Sequence, residues 1–322
     1  QTRHVLIDSS VYIRFHAKLE TRLFLELQKA VADLGLTVHC NELIRLEVGR
    51  WLDEQAELIA TEQKALAKKV EGWNKRLQAG KLVVPAPLDP AQMTRQANLH
   101  FLNTLQQKFN VTFDDMANVR LDVVLTRYSH DLPPFSKRGS KEFPDAFIVE
   151  SARSWAIQND TRVYVLSEDA DMLADAQSTP ETLPVAGLTA FLALVAEARD
   201  PDVTALVDQL VDDAGFIDKL ADALTRELPA ASFEYSGYAF AHAEVDGVYL
   251  LSTGDSERWA VVSVEKSVVS FVCSIWITAE LTVKYVGPIE DEDGGRDQGT
   301  TEWTDELACR VYFRYDRTLE AI

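Results

Sequence analysis

Short apolar runs alternating with long stretches of helical period set the character of the first 200 residues. Val5-Leu6-Ile7 is an uninterrupted apolar run closed by Asp8, the pattern of a strand buried on both faces. A helical stretch over about 11–34 stops at Gly35, which suits a left-handed C-cap. Residues 36–40 read as a second strand. From 41 to about 79 the apolar residues Leu43, Leu46, Leu52, Leu58, Leu66, Val70, Trp73 and Leu77 recur at helical spacing without a proline. Uninterrupted, that helix would run about 58 Å at 1.5 Å per residue, so it must project beyond a sheet or break near Gly72. Residues 85–90 form a linker, and helices are predicted over 90–109 and 114–129. A loop rich in Pro, Gly, Ser and Lys (132–143) ends at Pro144, well placed to open a helix to about 158. Residues 162–166 are a strand followed by Ser167-Glu168-Asp169 and a short helix; Pro184-Val185 and a helix to about 198 close the unit. This alternation predicts an α/β sandwich around a parallel sheet, with a helical insertion over about 50–130.

The grammar changes after Asp200-Pro201, which predicts domains 1–199 and 200–322. Residues 202–228 read as acidic amphipathic helices. Aromatic and β-branched runs follow at 233–243, 248–252, 258–265, 268–286 and 307–315, with Asp246-Gly247 as a hairpin signal between two of them. The expectation is a separate α+β domain with an antiparallel sheet, its aromatics (Phe233, Tyr235, Tyr238, Phe240, Tyr249, Trp259, Phe271, Trp276) serving core and sheet.

Charge sharpens the division. The net charge of −19 argues against binding nucleic acid by general attraction. Residues 1–150, however, carry 20 Lys and Arg against 19 Asp and Glu, whereas 151–322 carry 12 against 32. The first part keeps cations for local phosphate contacts. The acidic second part invites three expectations: solubility, a homo-oligomer or regulatory-partner interface, or masking of the cationic part. Three widely spaced cysteines in apolar contexts suit buried thiols of a reducing cytoplasm and no zinc site. The longest apolar stretch, 267–286, is broken by Glu280 and Lys284, so no membrane span is expected. The six histidines lack metal spacing and are assigned to packing or surface. The acidic run 290–297 lacks the ligand alternation of a calcium loop and reads as a hairpin loop.

The acids of the first part carry the candidate chemistry. Asp8 and Asp169 each follow a strand, where open parallel sheets form their sites. Asp145 lies in the first turn of its helix, and Glu47 within two turns of the start of another. Singly, each is an ordinary cap or surface residue. Carboxylates that converge need cations, and hard oxygen donors select one or two Mg²⁺ or Mn²⁺ ions.

Asp8-Ser9-Ser10 after its strand resembles the opening motif of PIN domains, and Ser167-Glu168-Asp169-Ala170-Asp171 resembles their closing motif. The block from Arg127-Tyr128 through Pro133-Pro134-Phe135 to Lys137-Arg138-Gly139-Ser140-Lys141-Glu142-Phe143-Pro144-Asp145-Ala146 is similar to a bacterial PIN-like subfamily with a long helical insertion. The resemblance covers about 3–196. It implies a three-layer α/β/α sandwich, with Asp8, Glu47, Asp145, Asp169 and Asp171 as metal-binding acids and Ser9 and Ser167 as supporting hydroxyls. Glu42 competes with Glu47 for the second position. The implied activity is a metal-dependent endonuclease on single-stranded or structured RNA, with DNA second, in a toxin or phage-defence setting. A catalytically silent scaffold that engages a protein partner is the alternative. Lys137, Arg138 and Lys141 are expected to grip phosphates beside the acids. Lys68, Lys69 and Lys75, with Lys64, Arg76 and Trp73, form a basic stretch that is either a clamp for single strands or a solvated face with Trp73 as core.

Overall fold

The computed structural model describes residues 2–76, 82–83, 86–135, 142–211, 213–228, 242–265, 267–290 and 296–318. The chain divides into two units, 1–191 and 192–322. The first contains β1 (His4–Ile7), α1 (Ser9–Arg14), α2 (Arg22–Leu34), β2 (Thr37–Asn41), α3 (Glu42–Asn74), α4 (Pro90–Lys108), β3 (Val111–Asp114), α5 (Leu121–Ser129), α6 (Phe143–Gln158), β4 (Val163–Ser167), α7 (Ala170–Gln177) and β5 (Thr182–Ala186). Its five strands are all parallel, in the order β3-β2-β1-β4-β5, and are flanked by helices. This is the α/β/α sandwich that the sequence predicts.

The topology positions a site. From β1 the chain winds outward through β2 and β3, then returns to the other side of β1 for β4 and β5. Such a reversal opens a crevice beyond the carboxyl ends of the two strands at the switch, here β1 and β4. Val5, Leu6, Ile7, Val163, Val165 and Leu166 are buried, as strands covered on both faces require.

Two local expectations need correction. The helix expected over 11–34 is two helices, because His16 and Ala17 adopt left-handed backbone (φ 53° and 52°) between α1 and α2. Gly35 does cap α2 in that conformation, at φ 62°. Residues 111–114, read from sequence as a helix boundary, form the edge strand β3, so the expected helical insertion also completes the sheet. Buried His39 on β2 ties that edge down: its Nδ1 lies 3.0 Å from the Asp114 carboxylate, its Nε2 lies 3.1 Å from His4, and the Trp155 ring centre is 4.3 Å away. The long helix α3 does not break before Asn74. Its buried residues, Ile44, Val48, Ala56 and Ala60, all lie before its last fourteen residues.

A buried ion cluster locks α5, α6 and α7 together. Arg153, 2% exposed, reaches Glu150 at 2.6 Å and Asp175 at 2.9 Å. Arg120 caps Glu150 at 2.7 Å, and Arg127 meets Asp175 at 2.8 Å.

The second unit begins within α8 (Gly187–Arg199) and continues with α9 (Val203–Val211), α10 (Ala214–Glu227), β6 (His242–Glu265), β7 (Val268–Glu290) and β8 (Arg296–Asp316). The three strands form an antiparallel sheet. Val269, Phe271, Cys273, Ile275 and Ile277 alternate along one face of β7 and join Val207, Leu210, Phe216, Leu220 and Leu224 in a common core. Trp259 packs against that core, whereas Trp276 is exposed. Asp246-Gly247 is not a hairpin turn. It lies inside β6, where the register shifts between Val245 and Gly247 in a bulge. Residues 233–241 and 291–295 fall outside the described residues, so the expected first strand and acidic loop fall wholly or largely there. Among the described residues no helix is long and apolar enough to cross a membrane.

Removing one member of a buried ion cluster strands its partners. Arg153→Met should destabilise the protein by about 3 kcal/mol in urea unfolding, whereas a change below about 0.5 kcal/mol would show that Arg120 and Arg127 suffice.

Candidate active site

Asp8 is the first residue beyond β1, and its backbone N–H donates to Leu166 O on β4 at 2.9 Å. The pairing of the two central strands thus runs directly into the acid. Its side chain, 3% exposed, caps α1 by accepting from Ser10 N at 3.2 Å. The same oxygen accepts from Ser10 Oγ at 2.5 Å and Ser167 Oγ at 3.1 Å. The other oxygen, Oδ1, is buried and has no hydrogen-bond partner. Burial pushes the Asp8 carboxyl above its ordinary range, with the serine hydrogen bonds pulling the other way. Asp8 is therefore a cap residue and also a carboxylate with a spare oxygen.

Glu47 faces the same region. Ser9 Oγ donates to its Oε2 at 2.6 Å. Burial pushes the Glu47 carboxyl above its ordinary range, the Ser9 bond and Arg50 oppose, and the Asp8 charge adds to the rise. Glu42 points elsewhere and pairs with Arg45 at 3.1 Å on the exposed side of the helix. Five helical residues separate the two acids by about 140° around the axis, so only one can face inward.

Asp145 is in the first turn of α6. Burial first, then hydrogen-bonding contact with Glu142, then the charges of Asp8, Glu47 and Glu142, push its carboxyl up to about 8. A small aromatic cluster holds this corner. Phe143 packs 4.9 Å from Phe135 and 5.0 Å from Tyr128, and Phe135 and Ala146 are buried together with Val124. The two ends of the loop between Phe135 and Phe143 are thereby pinned next to each other. Lys137, Arg138 and Lys141 of that loop lie outside the described residues.

Asp169 caps α7, accepting from Asp171 N at 2.7 Å and Met172 N at 3.0 Å. Its own N–H donates to Ser167 Oγ at 3.0 Å, and that hydroxyl in turn donates to Asp8. Ser167 therefore bridges the acids at the ends of β1 and β4. Asp171 enters through its backbone N–H. The structure thus gathers Asp8, Glu47 and Asp145 into one electrostatic group, with Asp169 linked through a serine. Ser10 and Glu142 belong to the same neighbourhood and were not singled out from sequence. The serine pair after Asp8, and the acid three residues before Asp145, were the available signals.

The donor set fits a hard cation: carboxylate oxygens, an unpartnered buried oxygen on Asp8, and acids whose burial, with neighbouring carboxylates adding to it at Glu47 and Asp145, disfavours their charged forms. Among the described residues no three acid, histidine or cysteine side chains already form a closed coordination group. The fit is one of chemistry, with the side chains held by serines.

Lys68 and Lys69 are exposed on the outer half of α3, and Lys75 and Arg76 follow its end. Trp73 is 55% exposed, with the Arg76 guanidinium 5.5 Å from its ring centre, so it is not core.

A family model described as PIN domain matches residues 5–172, just over half of the chain, and spans all of these acids. No curated protein and no solved structure matches the chain.

The raised acids give the metal-free protein a definite pH response. Between the ordinary carboxylate range and about 8, the folded state holds protons that the unfolded chain has released, so stability falls as pH rises through this window. In EDTA, the calorimetric melting temperature should drop from pH 5 to pH 8.5, and Asp145→Asn should flatten the drop. An identical slope in the variant would show that Asp145 is not the protonated group.

Proposed function

Because the chain belongs to the PIN domain family, we propose that its first unit is a metal-dependent endonuclease that hydrolyses phosphodiester bonds of single-stranded or structured RNA, with DNA a lesser substrate. One observation carries the proposal: Asp8 keeps a buried oxygen without a partner, and its charge acts on Glu47 and Asp145, whose carboxyls burial already raises. Asp8, Glu47, Asp145 and Asp169 would hold one or two Mg²⁺ or Mn²⁺ ions, with Asp171 as a further candidate. Such ions supply charge neutralisation and activation of water when bound. The protein's own residues orient the acids. Ser9 fixes the Glu47 carboxylate, while Ser167 fixes Asp8 and the backbone of Asp169. No side-chain nucleophile is required.

Substrate grip is assigned to the outer part of α3. No side chain of α3 beyond Ala60 is buried; Lys64, Lys68, Lys69, Lys75 and Arg76 are exposed along this stretch, as is Trp73, with Arg76 over its ring. Cations for phosphates beside an aromatic face for bases is the composition of a single-strand platform. Lys137, Arg138 and Lys141 are assigned phosphate contacts from sequence alone. The acidic second unit is assigned a partner or regulatory surface, and a toxin or phage-defence role follows the family resemblance.

Labelled single-stranded RNA should be cut in Mn²⁺ or Mg²⁺, remain intact in EDTA, and remain intact with the Asp8→Asn, Asp145→Asn double variant. Metal-independent cutting, or equal cutting by the variant, would contradict the assignment. For the grip, Lys68→Glu, Lys69→Glu and Lys75→Glu together should weaken binding in EDTA and reduce the salt slope by about 2, at about 0.7 per phosphate contact on single strands. An unchanged slope removes α3 from the interface.

A further inference from the structure

We infer that the chain pairs with a second copy of itself through the outer half of α3, the two helices running antiparallel. Helical period sets the face that points to this. At 3.6 residues per turn, Leu58, Ile59, Leu66 and Trp73 fall within an arc of about 100° around α3. Each of the four is about half exposed. One flank of this stripe is already taken by the chain returning towards α4. Gln63 donates to Ala86 O at 2.7 Å and accepts from Leu88 N at 2.8 Å. Asn74 likewise donates to Leu82 O at 2.8 Å and accepts from Leu82 N at 2.7 Å. The stripe and its other flank stay open to solvent, and an apolar stripe of this length on a projecting helix suits a partner helix.

Charge identifies that partner. From Asp53 to Glu62 the chain carries four acids and no base, and from Lys64 to Arg76 five bases and one acid. On the open flank the charged residues are Glu54, Glu62, Lys69 and Arg76 in that order, all exposed. A two-fold axis crossing the helix near Leu66 sets Glu62 opposite Lys69, Glu54 opposite Arg76, and Leu58 opposite Trp73. An antiparallel second copy is therefore complementary in both charge and apolar positions, whereas a parallel copy would set like charges side by side. A nucleic-acid strand laid along the same stripe would meet Glu54 and Glu62 as well as the bases. Lys64 and Lys68 lie on the opposite side of the helix and remain available to strands, while Trp73, Lys69 and Arg76 are shared between the two uses. The interface is small, so the pairing is weak and reversible. None of this depends on the nuclease reading.

The test is sedimentation of the full chain, free of nucleic acid and in EDTA, across micromolar concentrations. Two charge-reversed proteins run beside the wild type, Glu54→Lys with Glu62→Lys and Lys69→Glu with Arg76→Glu. Lys and Glu are both good helix formers at these exposed positions, and a melting curve of each variant checks that it stays folded. The wild type should show a monomer–dimer equilibrium, and each reversed protein should self-associate at least about tenfold more weakly. Mixing the two reversed proteins should restore association, because every facing pair is then opposite in charge. A structural effect of the substitutions would not be rescued by mixing. A wild type that stays monomeric throughout overturns the inference, leaving the stripe to strands or another protein. A wild-type dimer that both reversals leave unchanged also overturns it, because that dimer uses another surface.

Discussion

A carboxylate placed directly at the carboxyl end of the central strand is the constraint to which the rest of the first unit answers. Asp8 cannot move away from the sheet, because its own N–H continues the pairing of β1 with β4. It is covered on all sides, so its charge must be met locally. Ser10 and Ser167 meet one oxygen and leave the other bare. The Asp8 charge in turn acts on Glu47 and Asp145, both of which burial already raises. Without a cation, burial favours the protonated forms of these acids.

The helices that carry these acids are held rigidly by interactions at a distance from them. Asp145 leads α6 and Asp169 leads α7, and the two helices are joined by Arg153 through Glu150 and Asp175. On the other side, Tyr128, Phe135 and Phe143 hold the start of α6. The buried ion cluster thus does for spacing what the serines do for orientation. Hydrogen bonds fix the carboxylates of Asp8, Glu47 and Asp169, and packed charges fix the helices beneath.

Much of this was legible in sequence where the signal was local. Asp8 and Asp169 stand out because an acid closing a buried strand has a position in a parallel sheet before any coordinates exist. The all-parallel sheet follows from the strand–helix alternation. The rest needed the third dimension. β3 is four residues at a half-exposed edge, too short and too polar to announce itself. The break between α1 and α2 rests on His16 and Ala17 in a conformation for which glycine would have been the signal. Asp246-Gly247 has turn chemistry, but a long strand can absorb it as a bulge. Glu47 and Glu42 share one helix, and only the packing of that helix decides which faces inward.

The account turns on a hard cation at Asp8, and anomalous diffraction from Mn²⁺-soaked crystals tests it most directly. The predicted result is a peak at about 2.1 Å, a hard-cation distance, from Asp8 Oδ1 and from an oxygen of Asp145. Mn²⁺ bound only elsewhere, with Asp8 Oδ1 satisfied by a donor of the protein, would contradict it.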